Sequence, residues 1–188
     1  NTASGDKSLF SNTSGDYNTA TGGQALYSNT TGLYNTASGH WSLEANTTGW
    51  SNSAFGKNSL SDNTTGGSNT ASGYNSLLAN TTGSSNTSLG ADALSANTTG
   101  GSNTASGRQT LGSNTTGGAN TATGWKSLFN NTTGTQNTGL GYNARASAAT
   151  ATNQTVIGYE ATGQANNSVV LGNDSVTAVY MAEDSGAT

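Results

Sequence analysis

Cysteine and proline are both missing from this 188-residue chain, and charge is scarce: 5 Lys and Arg, 9 Asp and Glu and 1 His make 7% charged residues and a net charge of −4. Without Cys there is no disulfide and no thiolate metal site. The cations are few and scattered, whereas a nucleic-acid backbone is held by clustered Lys and Arg, so no nucleic-acid partner is expected. Large apolar residues are also in short supply. Leu, Ile, Val and Phe number 13, 1, 5 and 3, too few for a ball-shaped core. No apolar run approaches the ~20 residues of a membrane helix and none has the layout of a signal peptide, so no membrane insertion is expected of this stretch. A single Met, Met181, and the lack of a starting Met are expected of a piece excised from something longer.

What is present is a repeat. The unit Asn1-Thr-Ala-Ser-Gly-Asp-Lys-Ser-Leu-Phe-Ser-Asn-Thr-Ser-Gly-Asp-Tyr17 returns in phase at Asn18, Asn35, Asn52, Asn69, Asn86, Asn103 and Asn120. Eight copies of seventeen residues fill 1–136 without insertion or deletion. Strict periodicity is the signature of a repeat architecture, and it outweighs local propensity. It also argues against disorder, because a chain that never packs has no use for a Leu fixed at every seventeenth residue.

Each copy contains two candidate extended segments, the Asn-Thr-Ala-Ser stretch and the Ser-Leu pair, with Gly and Asn at the corners. Two short strands bury nothing alone, so the copies must stack, each about 4.8 Å above the last. The expected fold is all-β, a parallel β-solenoid of 17-residue coils. Position 9 of the unit is Leu in every copy and position 3 is Ala except at Ser88, and these form the expected interior. Position 8 holds only Ser, Ala or Thr. The Asn residues at positions 1 and 12 are placed to form hydrogen-bonded ladders between coils.

Such an interior is thin. At about 25 cal/mol per Å² it does not by itself offset about 1–2 kcal/mol of backbone ordering per residue. A second buried surface is expected, and positions 2 and 4 supply it, since they flank position 3 and point to the other side of the strand. Position 4 is mostly Ser or Thr but carries Phe55 and Leu89. Self-association through this strand is therefore expected.

After Asn137-Thr-Gly-Leu-Gly141 the period is expected to break into an Ala, Ser and Thr-rich segment over 142–153. A more apolar stretch follows, Thr155-Val-Ile-Gly-Tyr-Glu-Ala-Thr-Gly163 leading to Ser168-Val-Val-Leu-Gly172, with fourteen residues from Gly158 to Gly172. It resembles the Ser-Val-Ala-Ile-Gly-x-x-Ala repeat of trimeric autotransporter adhesin heads (YadA-like heads), and the seventeen-residue unit looks like an enlarged, Thr-substituted form of it. Similar Asn-Thr-Ala-x-Gly and Asn-Thr-Thr-Gly arrays occur in phage tail fibres, where a sequence like Leu171-Gly-Asn-Asp-Ser-Val-Thr-Ala-Val-Tyr-Met181 precedes an endosialidase-type intramolecular chaperone domain. The resemblance implies a homotrimer of left-handed parallel β-rolls about a fibre axis, with an axis more polar than in the adhesin heads. Phe55, Leu89, Leu140, Ile157 and Leu171 are the candidates for that axis. The expected organisation is eight coils over 1–136, irregular final coils with the fourteen-residue repeat over 137–174, and a segment over 175–188 leading to a neck or a following fibre domain.

No set of titratable groups recurs in the repeat, and a glycan hydrolase would need two facing carboxylates. No enzyme activity, cofactor or metal is expected, because one His with isolated carboxylates lacks a ligand set. Variation is confined to a few positions. In coils three to eight His40, Glu44, Lys57, Asp62, Asp92, Arg108 and Lys126 fall at positions 6, 7, 10 or 11, and the aromatic residues, Phe55 apart, fall at positions 6, 7, 10, 16 or 17. Tyr17, Tyr27, Tyr34, Trp41 and Trp50, all in the first three coils, are the candidates for contact with a host-surface glycan or protein receptor. The expected role is a fibrous adhesion module, extracellular, on a cell surface or a virion. The alternatives are a passive shaft with recognition elsewhere and an ice-binding solenoid, the latter drawn from the Thr2-x-Ser4 and Thr19-x-Thr21 array that Phe55 and Leu89 interrupt. Asn-x-Ser/Thr sequons such as Asn29-Thr-Thr31 read as turns rather than glycan acceptors.

Overall fold

The computed structural model describes residues 1–179, so 180–188 of the expected C-terminal segment lie outside the described residues. Positions 2 to 4 of each coil, Thr-Ala-Ser or a close variant, form a three-residue strand: β1 (Thr2–Ser4), β2 (Thr19–Thr21), β3 (Thr36–Ser38), β4 (Ser53–Phe55), β5 (Thr70–Ser72), β6 (Thr87–Leu89), β7 (Thr104–Ser106), β8 (Thr121–Thr123), β9 (Thr138–Leu140), β10 (Thr155–Ile157) and β11 (Val169–Leu171). They make one eleven-stranded sheet in chain order, every neighbour parallel and in register. The result is an all-β parallel β-solenoid of about ten turns. Ten steps of about 4.8 Å give the sheet a length of roughly 48 Å.

The second expected strand does not form. The Ser-Leu pair lies in a turn, because the position-9 Leu is left-handed, from φ 53° at Leu9 to 49° at Leu128. Positions 7 and 17 turn the same way; in the third coil Trp41, Leu43 and Ser51 have φ of 60°, 51° and 52°. Each such non-Gly residue costs about 1–2 kcal/mol. What holds Leu43 there is hydrogen bonding on both sides, its N–H donating to Ser59 O at 3.0 Å and its carbonyl accepting from Asn46 N at 3.2 Å. A coil of seventeen residues must turn often, and tertiary bonds override the propensity of Leu.

The expected interior is the observed one. Leu26 through Leu128 at position 9 are fully buried, as are Ala20, Ala37, Ala54, Ala71, Ala105 and Ala122 at position 3. Burying one Leu side chain contributes about 1.5–3 kcal/mol. The Asn residues are interior as well. At position 12 each Nδ2 donates to Oδ1 of the Asn one coil earlier, as Asn46 to Asn29 and Asn80 to Asn63, both 2.8 Å, and to the Gly carbonyl three residues on. At position 1 each Oδ1 accepts the backbone N–H of the next Asn, as Asn35 to Asn18 at 2.9 Å, while Nδ2 reaches the position-15 carbonyl, as Asn35 to Gly49 at 2.8 Å. Buried amides survive because their hydrogen-bonding capacity is met. The sequon residues Asn29 to Asn131 are thus sealed in the ladder.

Two glycines per coil have separate reasons. The position-5 Gly has φ from 120° to 143° through Gly141, and a Cβ there would meet the backbone of the next coil, at 2.5 Å from Gly56 O in the case of Gly39. The position-15 Gly needs space instead: at Gly83 a Cβ would collide with Gly100 O and Asn80 Oδ1.

The spacing does not change where the letters do. Thr138 pairs with Thr155, so the ninth coil keeps seventeen residues, and Thr132 N still finds Ala149 O at 2.8 Å. Only the step from Thr155 to Val169 shortens to fourteen. What changes is the filling. Arg145 stands where Leu stood and is exposed, while Ala144, Val156 and Ala161 form a small separate core. Gly139 makes the handover: a Cβ there would lie 2.6 Å from Leu128 Cγ, so the last interior Leu occupies the space of the missing side chain. Gln154 ends the Asn row, its N–H donating to Asn137 Oδ1 at 3.0 Å.

Candidate functional site

The coil exposes its variable positions at edges. Positions 16 and 17 precede the strand and positions 6 and 7 follow it, so side chains there flank the sheet on different sides. Of the five candidate receptor residues, the fold stacks two and sets a third, one coil on, at the neighbouring position of the same edge. Tyr17 and Tyr34 stack in register, ring centroids 5.0 Å apart and 2° from parallel, and Trp50 projects from the same edge one coil on. Trp50 lies over Gly67, where a Cβ would come within 2.8 Å of Cε2. The other two are elsewhere. Tyr27 stacks on Phe10 at position 10, with centroids 5.3 Å apart. Trp41, beyond the strand, lies against His40 at 4.1 Å, donates Nε1–H to Gln24 Oε1 at 3.3 Å and has Lys57 Nζ 5.5 Å above its ring. In-register stacking also occupies ring faces, leaving edges and the outermost faces for a ligand. Trp50, seated on a glycine, keeps a face free of other rings.

The five residues expected at an axis share one face. Position 4 points outward throughout, and Phe55, Leu89, Leu140 and Leu171 are 42–48% exposed. Phe55 and Leu89 stand apart, with Ser72 paired between them. Leu140, Ile157 and Leu171 are successive neighbours across β9, β10 and β11, and exposed Val169 lies beside them at position 2. An apolar patch so concentrated is the kind that marks a contact surface.

Three features escaped sequence reasoning. A second aromatic stack, Trp125, Tyr142 and Tyr159 at position 6, has centroid separations of 4.6 and 5.2 Å. Glu160 beside Tyr159 holds the phenol above its usual value. Two open cavities lie towards the end of the solenoid, one of about 380 Å³ between Glu160, Leu171 and Asp174, the other of about 370 Å³ between Lys126, Phe129 and Asn130 of the eighth coil and Asn143 and Arg145 of the ninth. The third feature is a row of threonines at position 14, exposed without interruption from Thr31 to Thr133. The stack follows from simple counting once the ninth coil is given seventeen residues, since position 6 is then aromatic at Trp125, Tyr142 and Tyr159, whereas cavities depend on side-chain packing that spacing does not carry.

Among the described residues no three of His, Cys, Asp and Glu come together as a metal site, and no helix is long and apolar enough to cross a membrane. Comparison with family models, with characterised proteins and with solved structures finds no match. The class that the fold defines is a parallel β-solenoid whose Leu, Ala and Asn columns are interior and whose aromatic and charged side chains lie along its edges.

Proposed function

We propose that this chain is a fibrous adhesion module of a trimeric surface adhesin or a phage tail fibre, outside the cell or on a virion, giving reach and displaying contact residues. The observation that carries this reading is the separation of roles within the coil. From the second coil to the eighth, positions 1, 3, 9 and 12 are sealed inside, while aromatic and charged residues vary from coil to coil on the edges. No catalytic role is assigned. The assembly proposed is a homotrimer of left-handed β-rolls meeting along position 4, where Leu140, Ile157 and Leu171 give the contact its apolar part. Light scattering in solution tests it: a mass near three chains is expected, and a clean monomer defeats it.

Receptor contact is proposed at Tyr17, Tyr34 and Trp50, where a glycan or protein surface meets one free indole face and two ring edges. Replacing all three by Ala is expected to remove binding on a glycan array or to host-cell surfaces. Unchanged binding leaves the shaft reading, with recognition elsewhere. One observation favours ice binding as a second reading: unlike the face carrying Phe55 and Leu89, the position-14 row presents seven consecutive exposed Thr, Thr31 to Thr133. Thermal hysteresis of the purified protein decides it.

A further inference from the structure

Two of the chain's five cations line the same cavity, and they do so where the interior pattern changes. Arg145 occupies the position that holds Leu in eight coils, turns outward, and donates Nε–H to Asn143 Oδ1 at 3.0 Å. Lys126 sits one coil earlier with its ammonium 4.5 Å from the Trp125 ring centroid and 5.3 Å from that of Phe129. Neither of these partners is a carboxylate, so both positive charges keep their capacity for an anion. Phe129 rests on bare backbone, since a Cβ on Gly112 would lie 3.0 Å from its Cε2, and the ring also lines the cavity. Asn130, the fifth lining residue, gives Nδ2–H to Ala146 O at 2.8 Å, and its buried Oδ1 has no hydrogen-bond partner.

We propose that this cavity binds a carboxylate-bearing saccharide. Arg145 and Lys126 receive the carboxylate, Arg145 through its free guanidinium N–H groups, which suit two-point recognition. The flat apolar face of a pyranose ring lies on Phe129, while Asn143 Oδ1, accepting from Arg145 Nε, holds the guanidinium at the cavity. The volume, about 370 Å³, is at the lower end of the range for small-molecule sites and suits one or two sugar units. A peptide carboxylate would satisfy the cations as well, so an acidic peptide is one arm of the test. All five residues belong to one chain, so the site needs no residue from another copy and is separate from the Tyr17 edge proposed above.

Titration calorimetry of the whole chain against a short oligomer of hexuronic acid, and against the neutral hexose oligomer of the same linkage, tests the proposal. Saturable binding of the acidic oligomer is expected, with the neutral one at least about tenfold weaker, as befits loss of a charge-assisted contact. Arg145→Gln and Lys126→Gln are each expected to weaken the acidic oligomer by about tenfold. Phe129→Ala is expected to weaken both oligomers. All three side chains reach solvent, and a thermal melt of each variant checks that the fold persists. Should Arg145→Gln melt early, Arg145→Lys replaces it, with an intermediate loss expected because the charge stays and the fork geometry goes. The proposal is overturned by absence of binding, by equal binding of acidic and neutral oligomers, by affinity untouched in the Arg145 and Lys126 variants, or by an acidic peptide or inorganic phosphate binding these residues as tightly as the uronate.

Discussion

The first eight coils and the coils after Asn137 share one sheet and one register, yet they place their apolar residues on opposite sides. In the array, Leu at position 9 is inside and the outer strand face is mostly Ser and Thr. In the final coils Arg145 takes the Leu position, and Leu140, Ile157, Val169 and Leu171 appear on the outer face. The array is stabilised from within each coil, by Leu, Ala and Asn contacts to its own neighbours. The final coils bury Ala144, Ala146, Ala151, Val156 and Ala161 but no Leu, and most of their larger apolar side chains face outward. A solenoid can thus change its source of stability without changing its backbone path.

The sharpest way to break the comparison is inside the array. Leu77→Ala removes a fully buried side chain and is expected to cost about 4 kcal/mol in chemical denaturation, within the range for such cavities. An Asn80→Ala change should follow at about 3 kcal/mol. It withdraws one donor from Gly83 O and one acceptor from Asn97 Nδ2, each of which keeps a second partner, and leaves the buried Asn63 Oδ1 unpaired. Gly139→Ala examines the handover itself. Its methyl enters the space of Leu128, with an expected cost of about 2 kcal/mol that Leu128→Ala in the same chain should partly relieve, because the two changes share one volume. If the two costs simply add, the small-for-large exchange between these coils is wrong.

The smallest effect concerns pH. Asp62, although its side chain reaches solvent, is partly desolvated, and this raises its carboxyl pKa above the ordinary value. A raised folded-state pKa contributes stability that is complete below the unfolded value and is lost as pH rises through the folded one. Asp62→Asn is therefore expected to flatten melting temperature between pH 3 and pH 7 by a small amount and to leave the neutral-pH protein no less stable. A steeper pH dependence in the variant would contradict the desolvation.

Much of this comparison was legible as spacing. A Leu and an Ala at fixed phase, with two Asn rows, sufficed to place the interior, because parallel in-register stacking brings equal positions together whatever the backbone does between them. The local conformation was not legible. The Ser-Leu pair looks extended by composition, and only the hydrogen bonds of Leu43 to adjoining residues explain why Leu accepts a left-handed φ. The ninth coil was hidden for a related reason: Ala146 through Thr152 keep the residue count while replacing the letters, and the structure responds to the count. The aromatic candidates were over-grouped, since nearness in sequence put Tyr27 and Trp41 with Tyr17, whereas the corners between them send the rings to separate edges.

The Asn rows carry one more consequence, for descent rather than for stability. Their bonds join residues seventeen apart, as from Asn46 to Asn29 and from Asn97 to Asn80. A tandem gain or loss of seventeen codons, starting at any letter of the unit, therefore restores the same neighbours at every buried position of the array. The length of the solenoid can be inherited as copy number, in increments of about 4.8 Å, while each edge residue remains free to vary on its own.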